Sequence, residues 1–140
     1  MKQLLFFLFI LSLYTCDKTE DYNDVLPYRV VDFVVNMNLP QYSDLLIPGQ
    51  SKETPENYGI KGILIYNFNG NFKAFDLACP HIAPSACSKM FFDGSLFLNC
   101  PCDEAKFSIY DGSPQTNGVS YWAREYYVVK LSNSQLRITN

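Results

Sequence analysis

Four of the chain's five cysteines and its only histidine fall in one stretch, ACPHIAPSACSKMFFDGSLFLNCPCDEAKF, residues 78–107. Cys79-Pro80-His81 and Cys100-Pro101-Cys102-Asp103 form two short cysteine loops with 18 residues between them. The intervening MFF, Asp93-Gly94 and SLFLN read as a hairpin, which sets the two loops face to face. Three good iron or zinc ligands are visible, and Asp103 stands where a fourth would be expected. The same cysteines could instead bridge one another, so a metal centre and a disulfide framework both remain open.

The rest of the chain is β in character. Tyr28 to Met37 (YRVVDFVVNM) is β-branched and aromatic and reads as a first strand. NLPQYSDLLIPGQSKETPENYG carries three prolines and reads as an irregular connection with at most short ordered pieces. IKGILIYNF and NFKAFDL flank Asn69-Gly70, a pair suited to the positive φ of a tight hairpin turn. KFSIY, an Asp111-Gly112 turn, EYYVVKL and QLRIT complete the pattern, and no stretch of ten residues has a capped helical period. A composition of 48% hydrophobic and 16% aromatic residues supports a packed domain rather than a disordered chain. The expected fold is an all-β, antiparallel domain, a small sandwich or barrel of short strands joined by Asx-Gly turns. Eleven basic against 14 acidic residues, with no basic stripe, argue against nucleic acid as a partner.

The N-terminus reads as an export signal. Lys2 is followed by an apolar run, Leu4 to Leu13, too short to span a bilayer as a helix. LYTC then resembles the bacterial lipobox, which implies a signal peptide over 1–15 and lipidation of Cys16. Residues 16–27 would then be a polar tether, with Asp17, Glu20, Asp21 and Asp24 its solvated charges, and 28–140 the folded domain. The expected location is the cell envelope, facing the periplasm or the exterior and anchored in the membrane through lipid. An ordinary secretory signal with an incidental cysteine is the alternative. Four cysteines remain for the domain, an even number suited to an oxidising compartment.

The paired loops C-x-H and C-x-x-(Asp103) resemble the two boxes of Rieske proteins. There a [2Fe–2S] cluster sits between two loop tips, two cysteines holding one iron and two histidines the other. The likeness covers residues 28–140, including the strand FKAFDLACPH entering the first loop and KFSIYDGS leaving the second. It implies a Rieske-like antiparallel β domain and a cluster held by Cys79, His81, Cys100 and Asp103. It further implies electron transfer to a redox partner protein, and a disulfide between Cys87 and Cys102 tying the loops together. Rieske oxygenases attach a separate catalytic iron domain for which this chain has no room, so no enzyme activity is expected of it.

The resemblance is imperfect at the centre itself. Asp103 replaces the second histidine, Glu104 replaces a turn glycine, and the third loop reads NGVSYW without its proline. A carboxylate in place of a neutral imidazole makes the oxidised core more negative, which lowers its potential. Ala105 and Phe107 stand where high-potential members carry hydroxyls that bond the cluster and a cysteine sulfur, which lowers it again. Two functions follow. One is a low-potential electron-transfer protein. The other is a cluster-less, disulfide-stapled lipoprotein with a binding or structural role, in which Cys79 and Cys100 form a second bridge. Zinc on Cys79, His81, Cys100 and Cys102 is a third arrangement, which an oxidising space disfavours. Tyr121, Trp122, Tyr126 and Tyr127 are expected to be core or cross-strand aromatics.

Overall fold

The computed structural model describes residues 25–140. The signal segment, Cys16 and the tether up to residue 24 lie outside the described residues. Nine strands follow: β1 (Asp32–Asn36), β2 (Ser51–Glu53), β3 (Ile63–Phe68), β4 (Asn71–Asp76), β5 (Phe91–Phe92), β6 (Phe97–Asn99), β7 (Lys106–Ser108), β8 (Glu125–Ser132) and β9 (Gln135–Thr139). A six-stranded sheet runs β1-β9-β8-β4-β3-β2 and a three-stranded sheet runs β5-β6-β7, every pairing antiparallel. The all-β expectation holds.

β3 explains how two cores arise from one sheet. Its residues ILIYNF are apolar almost without alternation, the pattern of a strand covered on both faces. Ile63 and Ile65 point into a core with Val35, Leu45, Leu136 and Ile138. Leu64 points the other way, into a core with Phe75, Leu77, Met90, Leu98, Phe107 and the two cysteines Cys79 and Cys100. The three-stranded sheet supplies much of that second core, so the cysteine loops rest on a hydrophobic floor.

The turns obey their chemistry. Asn69 and Gly70 both take positive φ, 52° and 92°, closing the β3–β4 hairpin. Gly112 is required on two counts. Its φ is +78°, and a Cβ there would lie 2.9 Å from the Ala123 carbonyl oxygen and 3.0 Å from the Phe75 ring.

Two details differ from the sequence reading. The first strand begins at Asp32 rather than Tyr28, because its ladder with β9 closes at Asp32 opposite Thr139. Upstream, the Val31 N–H donates to Asn140 Oδ1 and Asn140 Nδ2 donates to the Arg29 carbonyl, beside one backbone bond from the Asn140 N–H to the Val31 carbonyl. The proline-rich connection holds only short ordered pieces, as its sequence implies: a 3-10 helix, Pro40–Leu46, and the edge strand β2. Of the four aromatics expected as core or cross-strand residues, Tyr126 is buried and Tyr127, 74% exposed, lies across from Thr139 in the β8–β9 ladder, whereas Tyr121 and Trp122 are exposed and lie outside the strands. β8 alternates, so Tyr126 and Tyr127 necessarily face opposite sides.

Candidate functional site

The first loop leaves β4 through an anchored carboxylate. Asp76 is fully buried, and Oδ1 accepts from the Ala78 N–H at 2.8 Å and the Lys61 N–H at 3.3 Å. Oδ2 accepts from the Ile60 N–H at 2.7 Å and the Tyr126 hydroxyl at 2.9 Å. Burial, with the Asp76 charge and hydrogen bond beside it, pushes the Tyr126 phenol well above its ordinary value, so it stays a donor. Sequence reasoning missed Asp76. The available signal was a lone acidic residue closing the apolar run FKAFD, where a strand ends and a loop begins.

Beyond Asp76 the loop folds back on itself. The Cys79 N–H donates to the Ser88 carbonyl at 2.8 Å, and the Met90 N–H to the Leu77 carbonyl at 2.6 Å. The buried Ser88 hydroxyl accepts from the Ser85 N–H at 2.7 Å and lies 3.1 Å from the Ser85 carbonyl. The second loop is a tight turn between β6 and β7. The Cys100 N–H donates to the Ala105 carbonyl at 2.8 Å, and the Glu104 N–H to the Cys100 carbonyl at 2.9 Å. Glu104 takes φ +63°, the left-handed conformation that a glycine would adopt without strain.

The two loops meet at three points. Cys79 and Cys100 form a disulfide with Cα atoms 5.6 Å apart. Cys87 and Cys102 form another with Cα atoms 5.1 Å apart, the pairing that the resemblance implies. Both separations are those of ordinary bridges. The third contact is His81 Nε2 to Asp103 Oδ2 at 2.6 Å, with the imidazole N–H donating. Burial alone would raise the Asp103 carboxyl. The His81 hydrogen bond and charge and the Ala105 N–H outweigh it, so Asp103 sits below the usual carboxylate range.

The surroundings of the inner bridge are apolar. Cys79 and Cys100 are wholly buried among Met90, Leu98, Ala105 and Phe107, while Val119 of the third loop packs on the same core. Ala105 and Phe107 fill space where hydroxyl donors were expected in a high-potential centre. The His81 ring lies 5.7 Å from the Phe107 ring, and its Nδ1 is buried without a hydrogen-bond partner. Among the described residues, no group of three or more histidines, cysteines, aspartates or glutamates stands ready to hold a metal ion.

The donor set therefore does not fit a [2Fe–2S] cluster as the loops stand. The two sulfur atoms required for one iron are bonded to each other, and a cluster takes thiolates. The carboxylate at the fourth position is engaged by His81 and by the Ala105 N–H, through Oδ1 at 3.2 Å. The sequence-expected residues Cys79, His81, Cys100 and Asp103 do converge. They converge by bonding one another.

No protein-family model matches the chain, and no curated protein sequence matches it. Solved structures do resemble it. The ferredoxin of carbazole 1,9a-dioxygenase from Nocardioides aromaticivorans IC177 superposes with a TM-score of 0.50 at 18% identity, over 80% of this chain and 98% of its own. A chain from the complex of reduced oxygenase and oxidized ferredoxin in carbazole 1,9a-dioxygenase gives 0.50 at 17% identity, over 78% and 93%. The likeness is one of fold: the chain has the Rieske-like ferredoxin architecture.

Proposed function

We infer that this chain is a cluster-less Rieske-fold module, stapled by two disulfides and acting in binding or assembly at the cell envelope. The observation that supports it best is the Cys79–Cys100 bridge, buried in an apolar core where a cluster would need two thiolates. Covalent bridging does mechanically what a cluster does: it pins two loop tips together and presents them as one rigid surface. Cys16 anchors the domain to a membrane through lipid, and the polar residues 17–24 give it reach; the tether stops short of the expected residue 27, because Leu26 is buried and the Leu26 and Pro27 carbonyls accept from Arg124. The occupant of the loop-tip surface is a protein, in keeping with a fold neighbour that belongs to an oxygenase–ferredoxin complex.

One observation favours a second reading, electron transfer through a low-potential [2Fe–2S] cluster. His81 Nδ1 is buried with no partner, as an imidazole ligand is before its metal arrives. In that reading Cys79, Cys100, His81 and Asp103 hold the cluster, which would supply one-electron transfer to a redox partner protein. It requires the inner bridge to be reduced and Asp103 to release His81.

Iron, acid-labile sulfide and thiols measured on the full chain, purified without oxygen, separate the two. The first reading expects no iron, no sulfide, and no alkylation of Cys79, Cys87, Cys100 or Cys102 before a reductant is added. Iron and sulfide in comparable amounts, lost in Cys79→Ser, would overturn it in favour of the second.

A further inference from the structure

The two bridges differ in what can reach them. Thiol–disulfide exchange is an in-line attack by a thiolate on sulfur, so one sulfur must be open to the attacker. Cys79 and Cys100 are both fully buried among Met90, Leu98 and Phe107. No external thiol touches them while the core is closed. Cys87 is exposed and Cys102 half-buried, and both lie on the outer rim of the loops.

The rim also carries a hydrogen-bond donor. Ser85 Oγ lies 3.5 Å from Cys87 Sγ and 3.9 Å from Cys102 Sγ, within hydrogen-bond reach of either sulfur. The Ser85–Ser88 turn fixes its position from within the first loop, independently of the bridge. When the outer bridge opens, the inner bridge and the His81–Asp103 bond still hold the two loops together. Opening is therefore local rather than a step toward unfolding.

We propose that Cys87–Cys102 is an exchange site for a partner dithiol protein, with Cys79–Cys100 as the protected staple that keeps the fold while it reacts. The partner's thiolate bonds to Cys87 Sγ, the open end and the one farther from the carboxylates of Asp103 and Glu104 along the chain. The Cys87–Cys102 bond breaks, its electron pair passing to Cys102 Sγ, which accepts a hydrogen bond from Ser85 and takes from solvent a proton equivalent to the one the partner's thiol gave up. The partner's second thiolate attacks the mixed disulfide and releases Cys87. The partner's dithiol becomes a disulfide, and the outer bridge becomes two thiols. This rests on the cluster-less reading, in which Cys79 and Cys100 are bonded to each other; the iron and sulfide measurement above tests that reading separately, and Cys87 and Cys102 are cluster ligands in neither.

The test uses the full-length native protein and dithiothreitol as the dithiol probe. Samples are quenched with a maleimide over time and mapped by mass spectrometry. Cys87 and Cys102 should label at least tenfold faster than Cys79 and Cys100, with circular dichroism unchanged while only the outer pair is labelled. Labelling of all four cysteines together, or of none before denaturant is added, overturns the proposal. Ser85→Ala should slow outer-pair opening several-fold with the urea midpoint unchanged. An unchanged rate in that variant removes Ser85 from the mechanism, and a rate of Cys79 and Cys100 labelling equal to the outer pair removes the distinction on which exchange rests.

Discussion

Replacing the inner bridge by Cys79→Ala with Cys100→Ala should destabilise the domain by about 3 kcal/mol or more. The bridge closes a ring across a separation of 21 residues, and the chain-entropy relation assigns about 3.3 kcal/mol to a loop of that length. The outer bridge, at a separation of 15, is worth about 3.0 kcal/mol alone. The rings interlock, since residues 87–100 belong to both. With the inner bridge in place, the outer one closes a path of about ten residues through it, for which the same relation assigns about 2.7 kcal/mol. Losing both should then cost about 6 kcal/mol, comparable to the whole stability of an ordinary domain of about 5–15 kcal/mol. Urea unfolding followed by circular dichroism reads this directly. At a slope of about 1.5–2 kcal/mol/M, each pair should move the midpoint down by roughly 1.5–2 M. The slope itself should rise, because an uncrosslinked denatured chain exposes more surface. A midpoint shift below about 0.5 M with an unchanged slope in the inner-pair variant would refute the reasoning.

Three further outcomes are expected. The folded Asp103 carboxyl lies below its ordinary value, so its contribution is present above about pH 4 and is lost as pH falls through the depressed value. Melting temperatures from pH 7 to pH 2 should therefore fall less steeply in Asp103→Asn than in the parent, the remaining slope coming from Asp32, Asp93 and Asp111, whose carboxyls are also held low. Asp76→Asn turns an amide NH2 toward donors that a carboxylate accepts. It should cost on the order of 2–5 kcal/mol by leaving two buried donors unpaired, with faster amide exchange at Lys61 and Ala78 as the local signature. Gly112→Ala must both hold a positive φ and push against the Ala123 carbonyl, and should cost about 1–3 kcal/mol in urea unfolding.

Much of this could be read from the chain alone, and the reasons are local. The aromatic and β-branched content of EYYVVKL, the continuous apolar run of β3 and the Asn69-Gly70 pair state their conformations through nearest-neighbour sterics and burial. The spacing of Cys79-x-His81 and Cys100-x-x-Asp103, with a hairpin between, placed the loops opposite each other. Asp76 stayed hidden because its four donors come from Ile60, Lys61, Ala78 and Tyr126, which only the folded sheet gathers around one carboxylate. Tyr126 and Tyr127 looked alike in sequence, and the side of the sheet that each faces separated them.

By itself the sequence determined the β character, the turns and the convergence of two cysteine loops, because those follow from φ preferences and from a two-residue side-chain period. Tertiary structure decided what the converged residues do. Sulfur atoms on facing loops can bind a metal or each other, and the choice depends on approach distance, on surrounding donors and on solvent access. Here an apolar floor of Phe107, Leu98 and Ala105 lies beneath a buried inner bridge, a carboxylate holds His81, and the outer bridge is left at the surface.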